Sequence, residues 1–183
     1  NTSLTFHIST LKSRGLNVKH DDISSDIVTF KDANLEKAIR AALEIPTELL
    51  KKEDLANLEK LNLRDLGIIN LVGLEFCTNL TYINLGDGKN KASDLSPLAG
   101  LTKLKELVLY HNDLTDITPL KDLINLEKLD IGHNPSLSNI EPLSNLVNLK
   151  RLHVFDTSVS DITALADLVK LEYLAIGEGS GGS

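Results

Sequence analysis

The sequence is poor in the residue types that usually fill an irregular protein interior. It contains no tryptophan and no methionine, and its aromatic residues are three tyrosines and four phenylalanines. Its single cysteine, Cys77, cannot form a disulfide within the chain, which suits a cytosolic protein and equally an extracellular protein that folds without disulfides. Leucine dominates the apolar residues, so we expect one kind of packing environment to be used repeatedly.

The chain also lacks an excess of positive charge and any long apolar run. Its formal net charge of −7 argues against nucleic acid or an anionic membrane surface as the partner, since both select for lysine and arginine. No stretch approaches the ~18 apolar residues that a membrane-spanning helix needs. The sequence therefore predicts neither nucleic-acid binding nor direct insertion into a membrane.

The leucines follow a repeat of leucine, two residues, leucine, one residue, leucine. Successive copies begin 22, 24, 22, 23 and 22 residues apart. The six copies are Leu58-Leu61-Leu63, Leu80-Ile83-Leu85, Leu104-Leu107-Leu109, Leu126-Leu129-Ile131, Leu149-Leu152-Val154 and Leu171-Leu174-Ile176. Alternation of leucine with other residues has the period of a β-strand, so the leucines face inward and the intervening residues face outward.

The second half of each repeat is equally regular. Pro97-Leu98, Pro119-Leu120 and Pro142-Leu143 occupy one position, where the fifth copy has Ala164-Leu165. Such a segment favours an extended or short 3₁₀ return. The extra residues of the longer second and fourth copies are expected in loops, at 86–91 and 134–136.

Polar residues recur beside these segments. Asn112 and Asn134 follow their strands, where the side-chain amides can bond to backbone groups exposed by the turn. Four residues in one position ahead of the return segment are expected to cap the backbone locally: Asp94, Asp116, Asn139 and Asp161. Cys77 replaces a leucine and is predicted to be buried.

No single repeat can bury its own leucines, so the copies must stack into one continuous core. The sequence predicts an α/β solenoid of the leucine-rich-repeat type, a right-handed superhelix with a parallel β-sheet on its concave face. We assign residues 58–177 to the repeats, 28–57 to a helical N-terminal cap, 1–27 to an N-terminal extension of uncertain role and 178–183 to a linker or tag remnant. Residues Leu4–Ile8 alternate like a strand, and the N-terminal extension could be the tail of an upstream domain. At the other end the repeats stop without a capping unit, so we expect that the protein continues or that something else covers the last coil.

In the cap, Asp32 is a candidate N-cap for a helix whose apolar face carries Leu35, Ile39, Ala42 and Leu43. A second helical stretch is predicted over 47–58, with Leu49, Leu50 and Leu55 facing the first repeat.

Two motifs resemble the internalin family of Gram-positive bacterial surface proteins. One is the repeat ending Asp116-Ile117-Thr118-Pro119-Leu120, and the other is the cap opening that runs from Phe30 to Arg40. The resemblance implies a secreted or wall-attached virulence or adhesion protein whose concave sheet binds a host or cell-surface protein. An intracellular scaffold of the phosphatase-regulator type, and hence a cytoplasmic location, is the alternative among binding proteins.

The outward strand positions are the candidate binding surface. All three tyrosines and one phenylalanine fall there, together with arginine, and these residue types dominate protein-binding hot spots. The outward charges are more positive than the chain as a whole, which suggests a partner with some acidic character. The predicted contact residues are Tyr82, Tyr110, Phe155, Tyr173, Arg64, Lys128, Arg151, His153, His111, His133, Glu106 and Asp130.

The pattern offers little support for catalysis or a cofactor. No nucleophile, base and orienting residue can be assembled, so we predict a non-enzymatic protein without a cofactor. His111 and His133 occupy equivalent positions one strand spacing apart, about 5 Å. This pair and the tyrosines leave open a surface receptor for haem or a metal, although no further ligand completes a metal set at the usual spacing.

Overall fold

A computed structural model describes residues 13–15 and 26–177. The strand predicted at Leu4–Ile8 and the linker predicted at 178–183 lie outside the described residues. Within them, helix α1 spans Ala33–Leu43 and helix α2 spans Lys52–Leu55. Both helices fall in the segment assigned to the cap, although the domain boundaries themselves remain predictions.

Each repeat forms one coil of the solenoid and contributes a short strand. The strands are β1 (Lys60–Asn62), β2 (Tyr82–Asn84), β3 (Glu106–Val108), β4 (Lys128–Asp130), β5 (Arg151–His153) and β6 (Tyr173–Ala175). They form one parallel sheet in the order β1-β2-β3-β4-β5-β6, so every strand pairs with its neighbours in sequence. This architecture confirms the predicted α/β solenoid.

The return segments are 3₁₀ turns, as their sequences predict. They span Leu74–Phe76, Ser96–Leu98, Thr118–Leu120, Glu141–Leu143 and Thr163–Leu165. Proline occupies the first turn of the middle three, where its missing N–H would have no helical partner. These turns form the side of each coil opposite the sheet, and the first four of them supply buried leucines to the same core.

The core is a stack of leucines that runs the length of the solenoid. The central strand residues Leu61, Ile83, Leu107, Leu129 and Leu152 are at most 2% exposed. Cys77 lies in the same core, and its burial raises the pKa of its thiol to about 12. The thiol is therefore protonated at neutral pH and behaves as a small apolar side chain.

Asp32 joins the cap to the first coil. Its Oδ1 accepts hydrogen bonds from the backbone N–H groups of Asn34 and Leu35 (2.9 and 3.1 Å), which confirms the predicted N-cap of α1. Its Oδ2 accepts from the N–H groups of Ile69 and Asn70 in the first coil (2.8 and 3.2 Å). Burial alone would raise the pKa of this carboxyl, but the four backbone donors together hold the pKa below its ordinary value.

The cap differs from the sequence prediction in its second half. Only Lys52–Leu55 is helical, because the chain before it is extended: Ile27 and Lys51 form an antiparallel bridge, and the Leu50 carbonyl accepts from the Val28 N–H at 2.8 Å. Leu50 and Leu55 are buried as predicted, whereas Leu49 is 55% exposed. In α1, Leu35 and Ile39 are buried but Ala42 is exposed, so the apolar face is narrower than predicted.

Candidate functional site

The outward side chains of the sheet, which we call the sheet face, are arranged in three rows. The rows form because each strand pairs with the next in the same register, so that equivalent residues lie side by side at about 4.8 Å. The first row is Lys60, Tyr82, Glu106, Lys128, Arg151 and Tyr173, the second is Asn62, Asn84, Val108, Asp130, His153 and Ala175, and the third, just beyond the strands, is Arg64, Gly86, Tyr110, Gly132, Phe155 and Gly177.

Glycine and aromatic residues alternate in the third row, and each ring packs over the glycine of the preceding coil. A Cβ atom on Gly86 would lie 2.4 Å from Cε1 of Tyr110, and one on Gly132 would lie 3.0 Å from Cε1 of Phe155. Both glycines are buried although they occupy outward positions. They are buried because an aromatic side chain from the next coil covers each of them.

A hydrogen-bonded bridge crosses three coils at the N-terminal end of this row. The Tyr110 hydroxyl donates to one carboxylate oxygen of Asp87, and the Arg64 guanidinium pairs with the other. Tyr110 and Arg64 therefore already have partners within the molecule. They stay predicted contact residues, but replacing Tyr110 would also disturb the loop after β2.

A residue with positive φ follows the third row in five successive coils. These residues are Asp65, Asp87, His111, His133 and Asp156, with φ between 52° and 85°. Asparagine, aspartate and histidine are the side chains most often found in this left-handed conformation, so the turn itself accounts for their recurrence. The two predicted histidines thus have a backbone role as well as a place beside the sheet face.

His111 and His133 are stacked, as their equivalent positions predict. Their ring centroids are 3.9 Å apart and the ring planes differ by 3°. Burial lowers the pKa of His111, and the neighbouring His133 and Lys91 lower it further. His133 Nδ1 lies 2.7 Å from Oδ2 of Asp156. Among residues 13–15 and 26–177, no three histidine, cysteine or acidic side chains are placed to hold a metal together.

Six rings form a continuous aromatic cluster that runs from the third coil to the sixth coil of the sheet face. Tyr110 lies 5.5 Å from His111, and Phe155 meets His133 edge-on at 4.5 Å. His153 lies 6.2 Å from Phe155 and 5.2 Å from Tyr173. The cluster thus comprises Tyr110, His111, His133, Phe155, His153 and Tyr173, all of which were predicted contact residues. Tyr82 lies apart from it and is half-buried.

The charged residues of the sheet face are mostly paired with one another. Lys128 Nζ lies 3.0 Å from Oε2 of Glu106, and His153 Nδ1 lies 3.4 Å from Oδ2 of Asp130. Burial raises the pKa of Asp130, although the Gly132 N–H and His153 act in the opposite direction. The four side chains and Arg151 surround a depression of about 210 Å³ whose lining includes Val108.

Asparagines inside the turns hold the coils together. Asn134 is fully buried; its Nδ2 donates to carbonyls of its own coil and the preceding one, and its Oδ1 accepts from the Leu114 N–H at 3.1 Å. Asn112 repeats the arrangement, which confirms the predicted backbone role of both. Asn90, which the sequence predicts only as part of the loop at 86–91, does the same for the first two coils. Its distance of 22 residues from Asn112 was the available signal.

The predicted local caps are present in every return segment that carries them. The side-chain Oδ1 atoms accept from backbone N–H groups two residues later at 2.8–2.9 Å in Asp94, Asp116, Asn139 and Asp161. These residues lie away from the sheet face, which leaves the three rows as the candidate binding surface.

Of the helices in the described part of the chain, none combines the length and the apolar character required to span a bilayer.

Comparisons with known proteins agree with this fold. The model of the family of leucine-rich repeats in two copies matches residues 102–145. An internalin from Listeria monocytogenes is similar in structure with a TM-score of 0.65 and 31% sequence identity, over 83% of this chain and 52% of that protein. The chain therefore spans about half the length of that internalin.

A leucine-rich-repeat protein from Leptospira interrogans gives a TM-score of 0.58 at 23% identity, over 70% of this chain and 34% of that protein, and shares the fold alone. No curated protein matches the sequence. Leucine-rich-repeat folds with this architecture typically serve as protein interaction modules and not as enzymes. The stacked coils, the family match over residues 102–145 and the similarity to an internalin show that this chain has the leucine-rich-repeat fold.

Proposed function

We propose that this chain is the recognition module of a bacterial surface or secreted protein, and that it binds a host or cell-surface protein through the sheet face. The observation that carries the proposal is the aromatic cluster beside an exposed arginine. Tyr173 is 51% exposed, the half-buried His153 lies beside it, and the half-buried Phe155 lies beside His153. Tyrosine and arginine are the residues most enriched in protein-binding hot spots, so the C-terminal end of the sheet face is the predicted centre of contact.

The first three coils of the sheet face are less suited to be that centre. Arg64 and Tyr110 are engaged with Asp87, and a partner would have to compete with these bonds. At the C-terminal end, Phe155 has no polar side-chain group, and the Tyr173 hydroxyl makes no hydrogen bond to any residue that the structure describes. Burying these two rings against a partner would remove apolar surface from water, with a favourable transfer free energy of about 25 cal/mol per Å².

The similarity to a Listeria internalin supports the bacterial and surface-exposed part of the proposal. The net charge of −7, combined with four cations on the sheet face, supports a protein partner over nucleic acid. An extracellular, secreted or wall-attached location and a role in adhesion follow from the same reasoning.

Labelled protein added to a panel of cultured animal cells tests this function. We expect saturable binding that is removed when the cell surface is first treated with protease. The double variant Phe155→Ala/Tyr173→Ala should bind at least about tenfold more weakly, because hot-spot truncations typically cost 1 to 2 kcal/mol or more each.

Val169→Ala is the matched control, since Val169 is 88% exposed and lies outside the sheet face, in the turn before β6. Its binding should equal that of the unmodified protein. Binding that survives protease, or that is unchanged in the double variant while circular dichroism shows native folding, would overturn the proposal.

A further inference from the structure

We infer that Arg151 is the anchor of a carboxylate subsite, and that the partner protein inserts an aspartate or glutamate side chain into the depression between β3, β4 and β5. This inference rests on the proposed function and names the chemistry of its contact. Arg151 is exposed in the middle of the C-terminal half of the sheet face, between Lys128 and Tyr173 in the first row.

Arg151 differs from the other charges around the depression because it forms no ion pair within residues 13–15 and 26–177. Lys128 pairs with Glu106 and His153 with Asp130, while the structure, over the residues it describes, places no carboxylate within salt-bridge distance of the Arg151 guanidinium. A guanidinium presents its N–H donors in a planar arrangement that matches the two oxygens of a carboxylate. An unpaired arginine on a concave contact surface is therefore preorganised to bind a carboxylate.

The size and charge of the depression favour a single carboxylate over a polyanion. Its volume of about 210 Å³ accommodates one side chain. Lys128 and Arg151 contribute two positive charges, and Glu106 and Asp130 contribute two negative charges, so the surroundings are balanced before binding. A sulfated polysaccharide would meet the two carboxylates as well as the arginine, whereas one carboxylate can approach Arg151 alone.

The apolar surroundings favour a carboxylate carried by a protein. The outward side chain of Val108 lines the depression, and Tyr173 lies next to Arg151 in the neighbouring strand. An acidic side chain that is flanked by apolar or aromatic residues would bury these groups together. Excluding water in this way strengthens the ion pair that it surrounds.

A random linear peptide library displayed on phage tests the inference. Selection on the unmodified protein, with counter-selection on Phe155→Ala/Tyr173→Ala, retains peptides that require the sheet face. We expect the retained peptides to share an aspartate or glutamate at one fixed position. A synthetic peptide of the retained sequence, and its asparagine or glutamine counterpart, are then titrated by calorimetry.

Arg151→Ala and removal of the peptide charge should each weaken binding by about tenfold or more. The loss of binding free energy when both changes are made should be smaller than the sum of the two separate losses. Lys60→Ala is the matched control, because Lys60 is an exposed, first-row cation at the far end of the sheet face. Its affinity should stay within about twofold of the unmodified protein, as expected for a cation remote from the contact.

Other results would overturn the carboxylate subsite. Retained peptides without a fixed acidic residue, or with equal affinity for Arg151→Ala, would refute it while leaving sheet-face recognition in place. The same holds for a selection that retains no peptide, provided that the cell-binding experiment succeeds. Heparin binding that Arg151→Ala abolishes would assign the arginine to a polyanion instead.

Discussion

Replacing Asn134 by alanine removes four hydrogen bonds from the interior of the solenoid. The amide Nδ2 donates to the carbonyls of Leu109, Ile131 and Gly132 at 3.1, 2.9 and 3.0 Å, and Oδ1 accepts from the Leu114 N–H at 3.1 Å. Asn134 is 0% exposed, so water cannot replace these bonds without opening the coil.

The size of the effect follows from which groups lose their only partner. The Leu109 carbonyl also accepts from Asn112, and the Gly132 carbonyl also accepts from the His111 N–H. The Ile131 carbonyl and the Leu114 N–H have no such second partner among the described residues. Leaving a buried polar group unsatisfied costs about 1 to 3 kcal/mol, so we expect Asn134→Ala to lower the free energy of unfolding by about 2 to 6 kcal/mol.

Urea unfolding followed by circular dichroism measures this change through linear extrapolation. Asn125→Ala is the matched control, because the exposed Asn125 makes one hydrogen bond, from its Nδ2 to the Thr102 carbonyl at 2.8 Å. Its loss should stay near 0.5 kcal/mol, as for other surface changes. If the two variants lost similar stability, the buried asparagines would not be the ties between coils that their geometry indicates.

Two further perturbations test the packing and the local caps. Gly86→Ala places a Cβ atom against the Tyr110 ring and should destabilise the protein by about 1 to 3 kcal/mol in urea, whereas Gly100→Ala, where nothing lies within 4 Å, should be neutral; equal stabilities would contradict the ring's position. The caps should make the free energy of unfolding depend on pH in the acid range. Hydrogen bonds from the hydroxyl and the N–H of Ser96 and Thr118 lower the pKa of Asp94 and Asp116. Hydrogen bonds from Thr163, chiefly from its N–H, lower the pKa of Asp161. A lowered folded-state pKa gives stability that is present above the unfolded value of about 4 and is lost as the pH falls through the folded value. Asn139 already makes this cap with an asparagine, so a variant with asparagine in place of the three aspartates should keep the hydrogen bonds. Its urea midpoint should fall less between pH 5 and pH 3 than that of the unmodified protein. An identical fall would refute this assignment. The three replaced residues are Asp94, Asp116 and Asp161.

The fold could be predicted because one physical requirement recurs in every repeat. A leucine at the centre of each strand can be buried only if the next coil covers it, so a constant spacing fixes both the strands and their order. Leu107 and Leu129 illustrate this, since they are paired in register and buried as their positions predict. Proline at Pro119 and Pro142 fixed the return segments for an equally local reason.

The details of the sheet face could not be predicted in the same way, because they depend on which neighbouring residue each side chain contacts. The rings of Tyr110 and Phe155 lie over glycines more than twenty positions earlier, and only the three-dimensional stacking reveals the cover. The bridge through Asp87 depends on a loop whose length differs from those of the other coils. Asn90 was missed for the same reason, since the longer repeat moves it away from the position that its counterparts hold relative to the strand.

The strand order has a consequence for how such a protein can change over time. Because each coil touches only the one before it and the one after it, a whole repeat could be duplicated or deleted with new junctions at just one boundary. The binding surface would then lengthen or shorten by one strand width while the remaining side chains kept their mutual arrangement. Lineages carrying this scaffold can thus alter the reach of the surface independently of its chemistry.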